Sequence, residues 1–465
     1  MSTIIPPSLN FKTVEKASPS YSYLKIPINS IPGALFPLSF TSQTVVDFKL
    51  PNKVINLGRS YLGYINTYLT EGGGFTPWIP EDTTDLGIGN VSLISSQGTD
   101  VLNLNYVTNF IKIAAKLGTS KIDLLNNGPI GDGLYLNSQT NVSLLNYYPA
   151  PYTLAAGNPY NFAAGSSNIA INGSAEVQYL SNSLALGATM VKYRQFPLSF
   201  FKDTILSLDK DLYFGPQADM FLRFMVGGSK CGWDSNLLTD PTATAVALKA
   251  TNSNITDMYL YLCIENNQEV INTIMDTYNS GKLIVQIPYT VGVKTFTPSS
   301  TVNNVVINIT KNNGKYLKKI VHTLFNGSEI ANLAFDMSNW NGTKALTYNT
   351  LLDQNQLQQQ LVSCAQPLAG SLNLNDYALN KRISRNSAIN GMGQYANNWF
   401  HCDTFFDDAH AERTDGNNIR EGILMTDNHL WTFASSTASA VALNNYTFIT
   451  YTKDMFISSN GIQFV

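Results

Sequence analysis

DMYLYLCIENNQEVINTIMDTYNSGKLIVQIPYTV, residues 257–291, holds three local patterns in succession. In the first, Met258, Leu260, Leu262 and Ile264 alternate with Tyr259, Tyr261 and Cys263, the period of two that a β-strand imposes. Both sets are apolar or aromatic, so both faces of this strand are expected to be covered, by a packed sheet or by a subunit contact. Val270, Ile271, Ile274, Met275 and Tyr278 then recur at helical spacing, and Gly281 offers a stop. KLIVQIPYTVGVKTF (282–296) returns to period two. A strand, a short helix and a second strand, set between two strand-rich halves, form a natural connector between two β domains.

Strand patterns extend in both directions from this centre. TVVDFKL (44–50), SYLGYINTYL (60–69) and DMFLRFMV (219–226) precede it; VVINIT (305–310), LKKIVHTLF (317–325), YALNKRIS, NNWFHCDTFF and GILMTDNHLWTF follow. The final residues, YTFITYTKDMFISSNGIQFV, are rich in aromatic and β-branched side chains, which predicts a closing strand inside a sheet. One further helix is predicted over LNLNYVTNFIKIAAKLG, where Leu104, Val107, Phe110, Ile111 and Ala114 share a helical face. Strands at short intervals with Asn/Gly turns and few helices indicate β-sandwiches. Before them, Pro6, Pro7, Pro19, Pro27, Pro32 and Pro37 favour an extended arm over residues 1–40. From 124 to 191 the only charged residues are Asp132 and Glu176, among many Gly, Asn, Ser and Tyr; this predicts a large, ordered loop insertion.

The 465 residues exceed one hydrophobic core, so length alone favours two or three domains. Charged residues make up 13%, about half the usual quarter. Net charge is -3, which leaves no electrostatic footprint for nucleic acid and favours protein partners, including further copies of the chain. No start of the secretory type and no apolar run long enough for a membrane span is visible. Cys231, Cys263, Cys364 and Cys402 are far apart and read as isolated thiols.

Chemistry-bearing motifs are sparse. His322, His401, His410 and His429 form no HxH or HExxH pair. The densest polar cluster is HCDTFFDDAHAERTD, with His401, Cys402, Asp403, Asp407, Asp408, His410 and Glu412. These are metal-ligand types, but His401 and Cys402 would point to opposite faces of a strand, and DDAHAERTD reads as a solvated loop. GPIGDG (128–133) matches no nucleotide fingerprint, and the basic stretches GKYLKKIVH and NKRISR are short and read as solvated strand faces. No catalytic, cofactor-binding or metal-binding residue is therefore assigned, no cofactor is expected, and the chain is read as a non-enzyme.

Several stretches, in order, resemble the major capsid proteins of the double jelly-roll family, found in polinton-like viruses, virophages and nucleocytoplasmic large DNA viruses. FPLSFFKDTILSLDKDLYFG (196–215) followed by DMFLRFMV is similar to the late strands of that family's first jelly roll. The stretch at 257–291 resembles its inter-barrel passage, VVINITKNNGKYLKKIVHTLFNG the early strands of its second barrel, NNWFHCDTFF one of its strands, and the chain's ending its closing strand. The resemblance covers the chain from about residue 196 onward. It implies an all-β fold of two tandem eight-stranded jelly-roll sandwiches with short connecting helices. The implied layout is an arm at 1–40, a first jelly roll at 41–265 with the 124–191 insertion on its surface, a connecting helix at 266–281, and a second jelly roll at 282–465. It further implies a homotrimer of pseudo-hexagonal outline that tiles an icosahedral shell in the virion after assembly in the host cell. The implied partners are neighbouring trimers and penton and minor capsid proteins, without sequence-specific nucleic-acid binding or membrane insertion. The competing reading is a carbohydrate-binding or carbohydrate-active multi-sandwich protein, since sandwiches serve those roles as well.

Overall fold

The computed structural model describes residues 20–28, 38–39, 43–69, 78–80, 86–111, 177–179, 189–217, 219–227, 253–326, 347–357, 362–363, 401–405 and 422–464. The first half builds two antiparallel sheets from eight main strands: β1 (Tyr21–Pro27), β2 (Gln43–Lys49), β3 (Ile55–Leu69), β4 (Asn90–Ser95), β5 (Asp100–Asn105), β6 (Thr189–Pro197), β7 (Met220–Gly227) and β8 (Ser253–Glu265). One sheet runs β1-β8-β3-β6, extended by the short strands Leu38–Ser39 and Asp211–Leu212; the other runs β2-β7-β4-β5. Period-two patterning packs them face to face. Leu260 and Leu262 of β8 and Leu57 and Leu62 of β3 are buried, as are Phe48 of β2 and Leu222 and Phe224 of β7. Phe48 meets Phe224 edge-on at 6.1 Å.

The second half repeats this layout with fewer, longer strands: β9 (Leu283–Ile309), β10 (Tyr316–Asn326), β11 (Thr347–Leu352), β12 (Val362–Ser363), β13 (His401–Thr404), β14 (His429–Ser458) and β15 (Gly461–Phe464). β9 and β14 each serve both sheets. Residues 283–297 of β9 pair with the C-terminal half of β14, which pairs in turn with β10, and β10 with β13. After the register breaks between Thr297 and Val302, β9 continues along the N-terminal half of β14, which pairs with β11, and β11 with β12. With β9 and β14 each counted as two strands, one in either sheet, and the terminal β15 left aside, the strands numbered by chain order within each half lie 1-8-3-6 over 2-7-4-5 both times. That is the jelly-roll arrangement, made twice by one chain. Strands that switch sheets through a bend or bulge make the corner. VVINIT and KLIVQIPYTVGVKTF are thus parts of one bent strand rather than two strands.

Between the halves, Gln268–Asn279 forms helix α1. Asn267 caps it by accepting from the Glu269 N–H, and Gly281 follows at φ +65. Tyr278 anchors α1 to the first half: its ring is edge-on to Tyr213 at 5.0 Å, beside Gly215, where a Cβ would lie 2.6 Å from the tyrosine oxygen.

Two expectations are corrected. The arm expected at 1–40 is a sheet strand over Tyr21–Pro27, paired along its length with β8; prolines at its end are compatible with an edge strand, which needs only one side of its ladder. The helix expected from residue 102 begins only at 107. Residues 100–105 are β5, because β4 offers them a ladder, and Tyr106 turns the chain at φ +59. Leu102 and Leu104 fit either period, and backbone pairing decided between them. The insertion at 124–191, apart from Val177–Tyr179 and residues 189–191, and the stretches YALNKRIS and GPIGDG lie outside the described residues.

Candidate functional site: a covered sheet face, an aromatic raft and a buried histidine cluster

The predicted polar cluster divides. His401, Cys402 and Asp403 form β13, whereas Asp407, Asp408, His410 and Glu412 lie outside the described residues. His401 and Asp403 share the inner face of the second sandwich, both buried. Asp403 accepts from the Trp431 indole Nε1 at 2.8 Å and from the Thr350 hydroxyl at 3.2 Å, with His401 Nε2 3.0 Å away. His322 lies within the same cluster, 4.3 Å from the Phe433 ring, with its Nδ1 2.8 Å from the Thr447 hydroxyl. Burial, reinforced by the neighbouring His401, holds the His322 imidazole well below its ordinary pKa, so it is neutral. Among the described residues no group of three or more His, Cys, Asp and Glu side chains could hold a metal. The cluster is a hydrogen-bonded patch within an apolar core. Sequence reasoning put His401 on a strand and His322 on a solvated strand face without bringing them together, because their cross-strand partners lie far away in the chain.

His429 stands apart at the start of β14, its Nδ1 against Asp353; the resulting pair holds the Asp353 carboxyl below its usual range. The basic stretch GKYLKKIVH pairs with carboxylates of the same chain. Lys315 pairs with Asp454 at 2.7 Å and Lys319 pairs with Asp203, while burial pushes the Lys318 amine down. NKRISR is outside the described residues, as are Cys231 and Cys364; Cys263 and Cys402 are buried. No helix among the described residues is long and apolar enough to cross a membrane.

What the geometry does offer is surface. The outer face of the β9-β14-β10 sheet is covered by the first jelly roll. Phe110 meets Phe448 at 5.2 Å and Tyr106 meets Tyr446 edge-on at 5.4 Å. The Thr290 hydroxyl donates to the Asp203 carbonyl at 2.8 Å. Gly292, opposite Phe448 in the ladder, admits this approach, since a Cβ there would lie 2.6 Å from the Asn105 carbonyl oxygen.

The corresponding face of the first jelly roll, on β1-β8-β3, carries an aromatic raft. Tyr61 stacks on its cross-strand partner Tyr261 at 4.9 Å and 15°, and Tyr23 lies 5.5 Å from Tyr61. Lys25 Nζ sits 3.4 Å above the Tyr259 ring, and Arg59 caps Tyr21 at 4.6 Å while its guanidinium is held by Asp209. Gly63 makes the raft flat: a Cβ there would lie 2.5 Å from the Tyr261 ring. Tyr23 remains 55% exposed. On the tyrosine side of DMYLYLCIE, predicted to be covered, Cys263 is buried and Tyr259 and Tyr261 are half-buried.

No protein-family model matches the chain, and no curated protein matches it in sequence. Solved structures do. A chain of the PBCV-1 virus capsid superposes with a TM-score of 0.54 at 12% identity, over 98% of this chain and 99% of that one. A chain from the structure of the Sputnik virophage superposes with a TM-score of 0.55 at 12% identity, over 100% of this chain and 93% of that one. The fold, two jelly rolls in tandem, is shared with them across nearly the whole length.

Proposed function

We propose that this chain is the major capsid protein of a virus, a non-enzymatic building block whose place is the virion shell. The observation that carries the reading is the double use of one strand order in one chain, with likeness to a virus capsid chain that runs from end to end rather than over one sandwich. A jelly roll alone serves many functions. Two of them in tandem give a subunit with two similar lobes, so that three copies make six lobes around an axis. A unit of that outline packs into a continuous sheet, and one polypeptide can then build most of a shell. Low charge and aromatic strand faces suit permanent contacts of this kind, which bury on the order of 2,000–5,000 Å² and are apolar at their centres. In this reading residues 124–191 form loops on the outer surface, and penton and minor capsid proteins complete the shell.

The test is direct. Light scattering on the purified protein should give three times the 51.1 kDa chain mass, and electron microscopy should show three-fold particles of hexagonal outline. A monomer at micromolar concentration would overturn the reading.

A further inference from the structure

All four histidines of the chain, His322, His401, His410 and His429, belong to its second half; residues 1–321 contain none. Two of them are direct cross-strand partners. His322 of β10 lies opposite His401 of β13 in the antiparallel ladder, so both imidazoles project from the same side of the sheet, and both are fully buried. Around them lie Trp431, Phe433 and Thr447 of β14 and Tyr348 of β11; the His401 ring is 4.9 Å from that of Tyr348. Among the described residues, the other titratable groups facing the pair are Asp403 and the Tyr348 phenol, and phenols carry no charge in acid. Asp403 also accepts from the Trp431 indole and the Thr350 hydroxyl, so one shared carboxylate serves two imidazoles.

One carboxylate balances one imidazolium. A second proton would set two like charges opposite each other on adjacent strands, inside an apolar core. The slightest element at the pair is β13, a four-residue strand at the margin of its sheet, held by the ladder Lys319–Thr404, Ile320–Asp403, Val321–Cys402 and His322–His401. We infer that His322 and His401 form an acid-operated latch: below neutral pH, proton uptake at the pair releases β13 from β10 while the first jelly roll keeps its structure. Burial and the facing His401 hold the His322 imidazole well below its ordinary pKa, so the released state takes up the proton first and is favoured as pH falls. His429 stands outside this core, against Asp353. The first jelly roll has only carboxylates to titrate in acid, and their ordinary range lies near pH 4. Burial raises the Asp211 carboxyl, so proton uptake there favours the folded state, and Asp209, held low by Arg59, responds only in stronger acid.

The latch is a property of the folded chain and stands apart from the shell-subunit reading. Its test is hydrogen exchange of the full chain at pH 7.5 and 5.5, read as protection factors corrected for the intrinsic effect of pH. Peptides over 317–325 and 401–405 should lose at least about tenfold in protection at the lower pH, since each proton taken up shifts opening by up to about tenfold per pH unit. Peptides over 220–227 and 253–265, in β7 and β8, should be unchanged. His322→Gln keeps a polar side chain beside Thr447 and should abolish the loss. His401→Gln should do the same, and serves if the first variant fails to fold; the comparison of regions within the wild-type chain needs neither. Unchanged protection at pH 5.5, or an equal fall in both jelly rolls, would overturn the latch. A fall that persists in either folded variant would overturn it as well.

Discussion

Phe110 of the first jelly roll and Phe448 of the second lie with their rings 5.2 Å apart, both buried, and belong to one continuous apolar core. The two lobes are therefore coupled in folding although each has its own pair of sheets. Phe448→Ala removes a ring from the central strand of the second lobe and from the junction together. It should cost about 3–5 kcal/mol, and calorimetry should still show one transition, moved to lower temperature for both lobes. Two separated transitions in the variant would show that the junction is a surface contact rather than shared core.

Gly292 offers a narrower test of the same junction. Any side chain there meets the Asn105 carbonyl, a backbone atom that cannot rotate away. Gly292→Val should destabilise the chain by about 1–3 kcal/mol through overpacking, read as a shift in the denaturant midpoint. Gly98, with positive φ and open space around the missing Cβ, should lose less on substitution by Asn, which tolerates the left-handed region.

His322 predicts an acid response. Its folded-state pKa is held below the unfolded value near 6.5 by burial and by His401. The unfolded chain therefore binds the extra proton first, and stability falls as pH drops below about 6.5 towards the folded pKa. His401 and Asp403 are the other titratable groups of the cluster. His322→Gln should make the acid limb of the stability curve shallower by up to about 1.4 kcal/mol per pH unit. Equal slopes for the two proteins between pH 6.5 and 5 would show that His322 does not titrate on unfolding.

The C-terminus should be indispensable. Residues 443–457 of β14 pair with β9 on one side and, over 443–452, with β10 on the other, and β15 folds back on the end of β14. Truncation after Asn444 removes the central strand of a sheet, including buried Phe448, Ile449, Tyr451, Met455 and Ile457. Each is worth roughly 1.5–3 kcal/mol of burial, against a net stability of about 5–15 kcal/mol for a typical domain. The truncated chain should be insoluble. Removing residues 1–10 leaves β1 intact and should preserve solubility and mass; a soluble truncation after Asn444 would assign the tail a peripheral role.

The two described thiols should be slow to react. Cys263 and Cys402 are buried, and burial pushes the Cys263 thiol up to about 11. Alkylation of the folded protein at pH 8 should therefore spare both, whereas the unfolded, unreduced chain should be modified at each.

Much of the fold was legible because strand patterning is local. Met258, Leu260, Leu262 and Ile264 point inward, as their alternation required, and the stripe from Val270 to Tyr278 is a helix between two sandwiches. Where local signals tied, the sequence could not choose: Leu102 and Leu104 suit a helix as well as β5, and only pairing with β4 separated the two. Tyr21–Pro27 read as an arm because its prolines are visible and its partner β8 is more than two hundred residues away.

The sequence alone determined an all-β chain of two domains with a helical link, low charge and no recognisable catalytic motif, since these follow from composition and from periods of two and 3.6 residues. Tertiary structure decided which residues meet. It buried His322, His401 and Asp403 in one core, paired Lys315 and Lys319 of GKYLKKIVH with Asp454 and Asp203, and laid the first jelly roll over one aromatic sheet face of the second. Those outcomes depend on contacts between strands distant along the chain. Alternation within a strand reveals that a face is to be covered, and the path of the rest of the chain decides what covers it.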